Sequence, residues 1–151
     1  MTSKDKTCVG KQYRDRLEAL RAVDDLVGSV ISTLSLNGEL ANTVIVFTSD
    51  NGWFYGEHRL QGKILGYEEA IRVPLVVRAP GFTAPQISSR YVLNNDLAPT
   101  LAEFASAIPP LVMDGRSITP LLINPALPWR KRILVEYLGT QGGFPGTFSA
   151  V

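Results

Sequence analysis

The sequence predicts an α/β fold in which a mostly parallel sheet is flanked by helices. Apolar residues recur at helical spacing between Arg16 and Asn37, which indicates a long amphipathic helix. Two apolar runs follow, at residues 43–48 and 73–77, and a shorter helical pattern covers residues 97–105. Helices that alternate with apolar strands are typical of a layered α/β domain.

The first helix is predicted from a stripe of apolar residues that begins after Arg16. Leu20, Val23, Val27 and Leu34 lie three or four positions apart, so they share one face. Asn37 and Gly38 then tolerate the left-handed backbone with which many helices end. We therefore expect a helix of about five or six turns that covers one face of the sheet.

Residues 43–48 form an unbroken run of β-branched and aromatic side chains without polar alternation. Such a run is typical of a strand buried on both faces, which is usual in parallel sheets. Residues 73–77 predict a second strand, since Pro74 near its start is compatible with the first residues of a strand. One long and one short helix cover only part of such a sheet, so the domain is predicted to be incomplete.

The rest of the chain is less regular. Asn95 and Asp96 can cap the helix at 97–105, residues 133–137 predict a short strand, and residues 108–130 predict a proline-rich surface segment. The chain thus divides into a polar N-terminal segment, a partial α/β domain and a Gly-rich tail, at 1–15, 16–137 and 138–151.

Composition excludes several classes of function. Lys and Arg total 15 against 14 for Asp and Glu, and this net charge of +1 gives no support to a nucleic-acid partner. Cys8 is the only cysteine, which excludes an intramolecular disulfide and a cysteine-based metal cluster. No apolar run approaches the roughly 20 residues of a membrane span. The first six residues are not a signal peptide, but a partial chain leaves the localisation open.

Asp50 and Asn51 are the candidate metal ligands. They directly follow the strand at 43–48, and ligands bind beyond the carboxyl ends of strands in open parallel sheets. A carboxylate and an amide carbonyl are hard oxygen ligands that suit Ca²⁺ or Mg²⁺. The alternative is an ordinary turn, since Asp-Asn-Gly is also a common turn sequence.

Residues 53–67 form a long loop rich in aromatic residues and glycine, and loops of this length are usually functional or disordered. Lys63, next to Gly62, is a cation that can reach an anion bound at the metal; the alternative is a solvated surface lysine. His58, the only histidine, can act as a hydrogen-bond donor or proton-transfer group, or be structural. The residues alone therefore indicate an oxygen-ligand metal site with a nearby lysine.

Several motifs together resemble the sulfatase family, and most of all its subgroup of glucosamine-6-sulfatases and bacterial arylsulfatase-type enzymes. The resemblance covers about residues 12–137 in consistent order. Its main motifs are VIVFTSDNG at 44–52, GEHRL at 56–60, GK at 62–63, YEE at 67–69 and IRVPL at 71–75. Further matches are YRDRL at 13–17, AVDDLV at 22–27, DLAPTL at 96–101 and MDGRS at 113–117.

The resemblance implies an alkaline-phosphatase-like α/β fold and the hydrolysis of sulfate esters on a sulfated small molecule or glycan. It implies that Asp50 and Asn51 bind calcium, with magnesium as the less favoured ion, and that Lys63 contacts the sulfate. His58 would contact the substrate, although its stretch varies within the family. The family's nucleophile is a formylglycine made from a cysteine in a Cys-x-Pro-Ser/Ala-x-Arg setting.

This sequence departs from the family pattern at the nucleophile. Cys8 is followed by Val-Gly-Lys-Gln, without the proline and arginine, and the family's early pair of metal-binding aspartates is absent. We therefore assign no catalytic residue, and predict a partial, C-terminal portion of a sulfatase that is inactive by itself. The alternatives are a phosphonate or phosphate monoester hydrolase of the same superfamily, or a non-catalytic sulfatase remnant.

Overall fold

The computed structural model describes residues 2–63, 65–82, 84–137 and 148–150. The chain divides into two compact units, Met1–Pro80 and Gly81–Val151. The first unit contains α1 (Ser3–Leu36), β1 (Ile45–Thr48), β2 (Phe54–Tyr55), β3 (Gln61–Gly62), α2 (Glu68–Ile71) and β4 (Leu75–Arg78). The second contains α3 (Leu97–Phe104), α4 (Thr119–Ile123), β5 (Val135–Tyr137) and β6 (Phe148–Ala150). The predicted division at residues 15 and 137 stays a prediction.

Helix α1 begins at Ser3 and runs for 34 residues, so the prediction that it starts at Arg16 is wrong. A capping box starts the helix: the Thr2 hydroxyl accepts from the Asp5 amide at 3.2 Å, and the Asp5 carboxylate accepts from the Thr2 amide at 2.7 Å. This local signal extends the helix through a segment without a usable apolar period. The predicted end is confirmed, because Asn37 is the C-cap and Gly38 has a φ of 73°.

The apolar stripe of α1 is not buried. No residue of the helix is buried: Leu20 and Val23 are 48% and 36% exposed, and Val27 and Leu34 are of intermediate exposure. The prediction that this helix covers one face of the sheet is therefore wrong for the described residues. None of the helices in the described ranges is long and apolar enough to span a membrane.

Strands β1 and β4 pair antiparallel, with Ile45 opposite Arg78 and Thr48 opposite Leu75. The other pairs, β2 with β3 and β5 with β6, are also antiparallel. The prediction of a mostly parallel sheet is thus wrong for the described strands, because the chain after β1 turns back before it reaches β4. With only one partner strand, β1 is not buried on both faces as predicted, and Phe47 is 39% exposed.

The second unit is organised around Asp96, which is fully buried. Its carboxylate accepts two hydrogen bonds from the Arg130 guanidinium, at 2.5 and 2.9 Å, and one each from the backbone amides of Leu93 and Arg116, both at 2.8 Å. Asp96 thus directly precedes α3, as predicted. Its side chain makes no capping hydrogen bond to α3, however, and instead accepts from Arg130, from Leu93 before the helix and from Arg116 beyond it. A buried charge with so many partners is stabilising only while every partner is present.

The segment 108–130 was predicted to run over the surface, yet it contains α4 and contributes Ile118, Leu121 and Trp129 to the buried residues. Pro120 in the first turn of α4 starts a helix too short to show a period. Residues 135–137 confirm the predicted strand, and its partner β6 lies in the predicted tail, whose other residues are outside the described ranges.

We expect Asp96→Asn to lower the free energy of unfolding by about 3 kcal/mol, because it leaves the Arg130 guanidinium without its charge partner. Burial alone would raise the pKa of Asp96, but the hydrogen bonds from Arg130, Arg116 and Leu93 outweigh it and lower the pKa. The ionised carboxylate therefore stabilises the fold above the unfolded-state pKa of about 3.9, and this contribution is lost as the pH falls through the folded-state value.

Urea unfolding of Asp96→Asn at neutral pH measures this effect. The matched control is Asp114→Asn, since Asp114 is exposed in the same unit, and we expect it to change stability by less than about 0.5 kcal/mol. Equal unfolding midpoints for the two variants would show that the Asp96–Arg130 pair does not stabilise the fold.

Candidate functional site

The loop after β1 carries the two candidate metal ligands and is held by its own hydrogen bonds. The Asn51 amide donates to Asp50 Oδ1 at 2.9 Å, and the Ser49 hydroxyl donates to the Asn51 carbonyl at 2.9 Å. The Asn51 side-chain amide donates to the Gly52 carbonyl at 2.8 Å. These bonds hold the loop in a local conformation, and they leave the Asn51 side-chain oxygen available as an acceptor for another group.

Lys63 contacts both candidate ligands. Its ammonium donates to Asn51 Oδ1 at 2.7 Å and lies 4.0 Å from Asp50 Oδ2. The structure therefore brings Asp50, Asn51 and Lys63 together beyond the end of β1, as the sequence predicted. The Lys63 and Asp50 side chains are 51% and 84% exposed, so this cluster is open to solvent and to ligands.

Gly52 anchors this loop to α2. Its amide donates to the Ala70 carbonyl at 2.8 Å, and a Cβ at position 52 would lie 2.1 Å from the Glu69 carbonyl oxygen. Any side chain at this position must push the loop away from α2. The Asp-Asn-Gly sequence is therefore more than a permissive turn, since its glycine allows a close backbone approach that places Asp50 and Asn51.

We expect Gly52→Ala to destabilise the chain by about 1–3 kcal/mol, because the added methyl group overlaps a backbone oxygen. The matched control is Gly28→Ala in α1, where a Cβ meets nothing within 4 Å. That change should stabilise the helix by about 0.5–1 kcal/mol, since alanine is the better helix former. Thermal melts of both variants check the prediction, and equal melting temperatures would contradict it.

His58 lies in the hairpin formed by β2 and β3, in a different set of contacts. Its Nε2 is 3.4 Å from Glu69 Oε1, and its ring stacks on Tyr67 with centroids 4.4 Å apart. The edge of Phe54 is the third contact, at 6.3 Å between centroids. The contacts that the described residues give to His58 are thus with Glu69, Tyr67 and Phe54.

The backbone at His58 is strained. His58 and the next residue, Arg59, have φ values of 53° and 61°, and glycine-like conformations of this kind are uncommon in other residues. Such strain persists where surrounding contacts hold it, and it concentrates at functional sites. The Glu69 and Tyr67 contacts therefore fix one orientation of the imidazole.

Sequence reasoning missed the residues that hold this hairpin. Glu69 and Tyr67 belong to a motif that was matched, but nothing in the pattern assigned them to His58. Arg16 donates to the Tyr55 hydroxyl at 2.8 Å, and Gln61 donates to Gln12 Oε1 at 2.5 Å. Those two contacts join residues 39 and 49 positions apart, so no local pattern could reveal them.

The donor chemistry at Asp50 and Asn51 fits a hard cation in part. Within the described ranges, no group of three or more His, Cys, Asp and Glu side chains lies close enough to hold a metal. Asp50 and Asn51 still present a carboxylate and a carbonyl oxygen to the same cation, the Lys63 ammonium. Two oxygens are fewer than the six to eight that calcium takes, so the described residues do not form a complete calcium site by themselves.

Comparison of the sequence with a family model and with known proteins indicates the same family each time. A family model described as Sulfatase matches residues 2–107. The N-acetylglucosamine-6-sulfatase of Capra hircus is 42% identical over 142 residues, which is 92% of this chain and 25% of that protein. The N-acetylglucosamine-6-O-sulfatase of Bacteroides thetaiotaomicron is also 42% identical, over 84% of this chain and 24% of its own length.

Two solved structures have a similar fold. One, described as a complex with its substrate D-glucosamine-2-N,6-O-disulfate, has a TM-score of 0.74 and 38% identity over 82% of this chain and 26% of its own. A phosphonate monoester hydrolase from Silicibacter pomeroyi has a TM-score of 0.72 and 32% identity over 82% of this chain and 25% of its own. These neighbours confirm the predicted alkaline-phosphatase-like α/β fold, and the chain spans about a quarter of their length.

Proposed function

The chain belongs to the sulfatase family, and we propose that it is the C-terminal portion of an enzyme that hydrolyses sulfate esters. The proposal rests on one observation: the Lys63 ammonium contacts both Asn51 and Asp50 at the end of β1. The similarity to N-acetylglucosamine-6-sulfatases supports a sulfated amino sugar as the substrate.

Asp50 and Asn51 would supply two of the oxygen ligands of a calcium ion, and the remaining ligands would come from other parts of the longer enzyme. When bound, the ion would offset negative charge on the sulfate and on the attacking group. Calcium is favoured over magnesium because its flexible coordination accepts ligands that are assembled from separate segments.

Lys63 would bind the sulfate. In this structure its ammonium donates to the Asn51 side-chain oxygen, which is also the candidate metal ligand. Two cations cannot share that oxygen without repulsion, so the ammonium would turn from Asn51 to a nearby sulfate oxygen. Lysine suits this movement, because it carries a compact charge on a flexible stem.

The residues of this chain do not fit the family's formylglycine. Cys8 is exposed on α1 and is followed by Val-Gly-Lys-Gln, so the sequence around it is not a Cys-x-Pro-Ser/Ala-x-Arg setting. The nucleophile is therefore proposed to come from another part of the enzyme.

His58 is proposed as a substrate-binding donor at the edge of the site. Glu69 would accept one ring N–H of His58, and stacking on Tyr67 would hold the ring plane. The other ring nitrogen would then face a hydroxyl or sulfate of the sugar. This role would lie beside the sulfate, since the described contacts of His58 are with Glu69, Tyr67 and Phe54.

A substrate comparison with the longer enzyme tests the proposed function. We expect hydrolysis of glucosamine 6-sulfate and of an aryl sulfate, and loss of both activities when a chelator removes calcium. The second candidate is phosphonate monoester hydrolysis, favoured by the structural neighbour with a TM-score of 0.72. Faster turnover of a phosphonate monoester would support that alternative, and no turnover of either ester would support a non-catalytic remnant.

A further inference from the structure

The short helix α2 contacts both segments that carry the candidate site. We propose that Glu69, in this helix, is a positioning residue that fixes the place of Lys63 relative to Asn51. This inference rests on the proposed function and deepens it, because it names a residue that would act on the sulfate only through Lys63. All of the residues concerned lie in the first unit, Met1–Pro80.

The first contact joins α2 to the loop that carries Asp50 and Asn51. The Gly52 amide donates to the Ala70 carbonyl at 2.8 Å, and a Cβ at position 52 would lie 2.1 Å from the Glu69 carbonyl oxygen. Gly52 directly follows Asn51 in the chain. The backbone of Glu69 therefore packs against the residue next to a candidate ligand, at a distance that a residue without a side chain allows.

The second contact joins α2 to the β2–β3 hairpin, which ends directly before Lys63. Glu69 Oε1 lies 3.4 Å from His58 Nε2, and Tyr67 stacks on the same imidazole with centroids 4.4 Å apart. Phe54, which is 1% exposed, meets the Tyr67 ring edge-on with centroids 6.0 Å apart. Glu69 thus contacts the hairpin with its side chain and the loop after β1 with its backbone.

The hairpin can transmit this contact to Lys63, because its two strands are hydrogen-bonded to each other. Strand β3 ends at Gly62, directly before Lys63. The Gly56 amide donates to the Leu60 carbonyl at 3.0 Å and closes the turn that contains His58. A displacement of this turn would therefore tilt β3 and move Lys63 with it.

The position of Lys63 matters, because its ammonium must reach a sulfate oxygen beside the proposed ion. Gly52 and Trp53 link Asn51 to β2, and each contributes two rotatable backbone bonds. The chain connection alone leaves the angle between the loop and the hairpin open, and the contacts of Glu69 restrict it. A displacement of about 1 Å at a reacting centre can lower turnover by about two orders of magnitude.

A double-mutant cycle in the longer sulfatase proposed above tests this role. We expect Glu69→Ala to lower kcat for glucosamine 6-sulfate about tenfold in the wild-type background. In the Lys63→Ala background it should lower kcat by less than about twofold, because Glu69 acts through Lys63. Glu69→Gln keeps an oxygen that can accept from His58, so it should restore most of the turnover. The matched control is Glu18→Ala, at an exposed carboxylate of α1, which should leave kcat unchanged.

The 151-residue chain allows a second measurement that does not require catalysis. The side-chain amide resonances of Asn51 in an NMR spectrum report the hydrogen bond that Lys63 donates to Asn51 Oδ1. We expect Lys63→Ala and Glu69→Ala to shift these resonances in the same direction. Glu69→Asp, whose side chain is one methylene group shorter, should shift them less, and Glu18→Ala should leave them unchanged.

Three results would overturn the positioning role. They are equal effects of Glu69→Ala on kcat in the two backgrounds, no rescue by Glu69→Gln, and Asn51 resonances that stay fixed in both Glu69→Ala and Glu69→Asp. Where Glu69→Ala does not fold, Glu69→Asp decides in both measurements. No turnover by the wild-type enzyme would overturn the proposed sulfatase function instead, and the NMR spectra would then decide the role of Glu69 by themselves.

Discussion

The 151-residue chain on its own is expected to hydrolyse aryl sulfates no faster than the uncatalysed reaction. Enzymes accelerate such reactions by many orders of magnitude, and covalent catalysis requires an activated nucleophile. The candidate site in this chain contains binding groups, Asp50, Asn51 and Lys63, without a residue assigned as the nucleophile. Binding groups alone do not provide the covalent step.

A chromogenic aryl sulfate, assayed with the purified chain in the presence of calcium, measures this directly. The informative variant is Cys8→Ser, because Cys8 is the only cysteine in the sequence. Turnover by the wild-type chain that disappears in Cys8→Ser would show that Cys8 is the nucleophile precursor, contrary to its sequence setting.

In the longer sulfatase proposed above, we expect Lys63→Ala to lower turnover of glucosamine 6-sulfate by about 10²–10³-fold. That magnitude is typical for removal of one preorganised group that stabilises charge in the transition state. The Lys63 side chain is 51% exposed and packs into no core, so its removal should leave the melting temperature unchanged.

Lys63→Arg should restore only part of the turnover, because a planar guanidinium fork does not replace a compact ammonium. The matched control is Lys11→Ala, since Lys11 is an exposed lysine of α1 whose ion pair with Asp15 lies outside the candidate site. Near-wild-type turnover for Lys63→Ala, at an unchanged melting temperature, would support the alternative of a solvated surface lysine.

Elements that depend on local chemistry were predictable from the sequence. Local propensities correctly place three features: the end of α1 at Asn37-Gly38, the strand that begins after Pro74 and the helix that follows Asp96. The start of α1 was also a local signal, a capping box at Thr2 and Asp5, but it lay outside the apolar stripe on which the prediction rested.

Pairing and burial were less predictable, because they depend on distant parts of the chain. An apolar run such as residues 43–48 indicates a strand but not its partner, and β1 pairs antiparallel with β4, whose residues lie about 30 positions away. The 39% exposure of Phe47 and the lack of buried residues in α1 agree with the expected incomplete domain, which stays a prediction.

The same distinction applies to the candidate site. Asp50 and Asn51 were identified because they follow a strand, and Lys63 because it lies beside a glycine in a long loop. Glu69, which contacts His58, and Arg16, which contacts Tyr55, were missed because their roles arise only when separate segments meet. Sequence reasoning thus identified the candidate binding groups and not the residues that contact and orient them.

The most direct test of the central claim is a crystal structure of the longer enzyme with calcium and an unreactive sulfate ester. The account predicts calcium on the Asp50 carboxylate and the Asn51 side-chain oxygen, with the Lys63 ammonium hydrogen-bonded to a sulfate oxygen and no longer to Asn51. A calcium ion bound elsewhere, or a Lys63 side chain directed into solvent while the sulfate is bound, would contradict it.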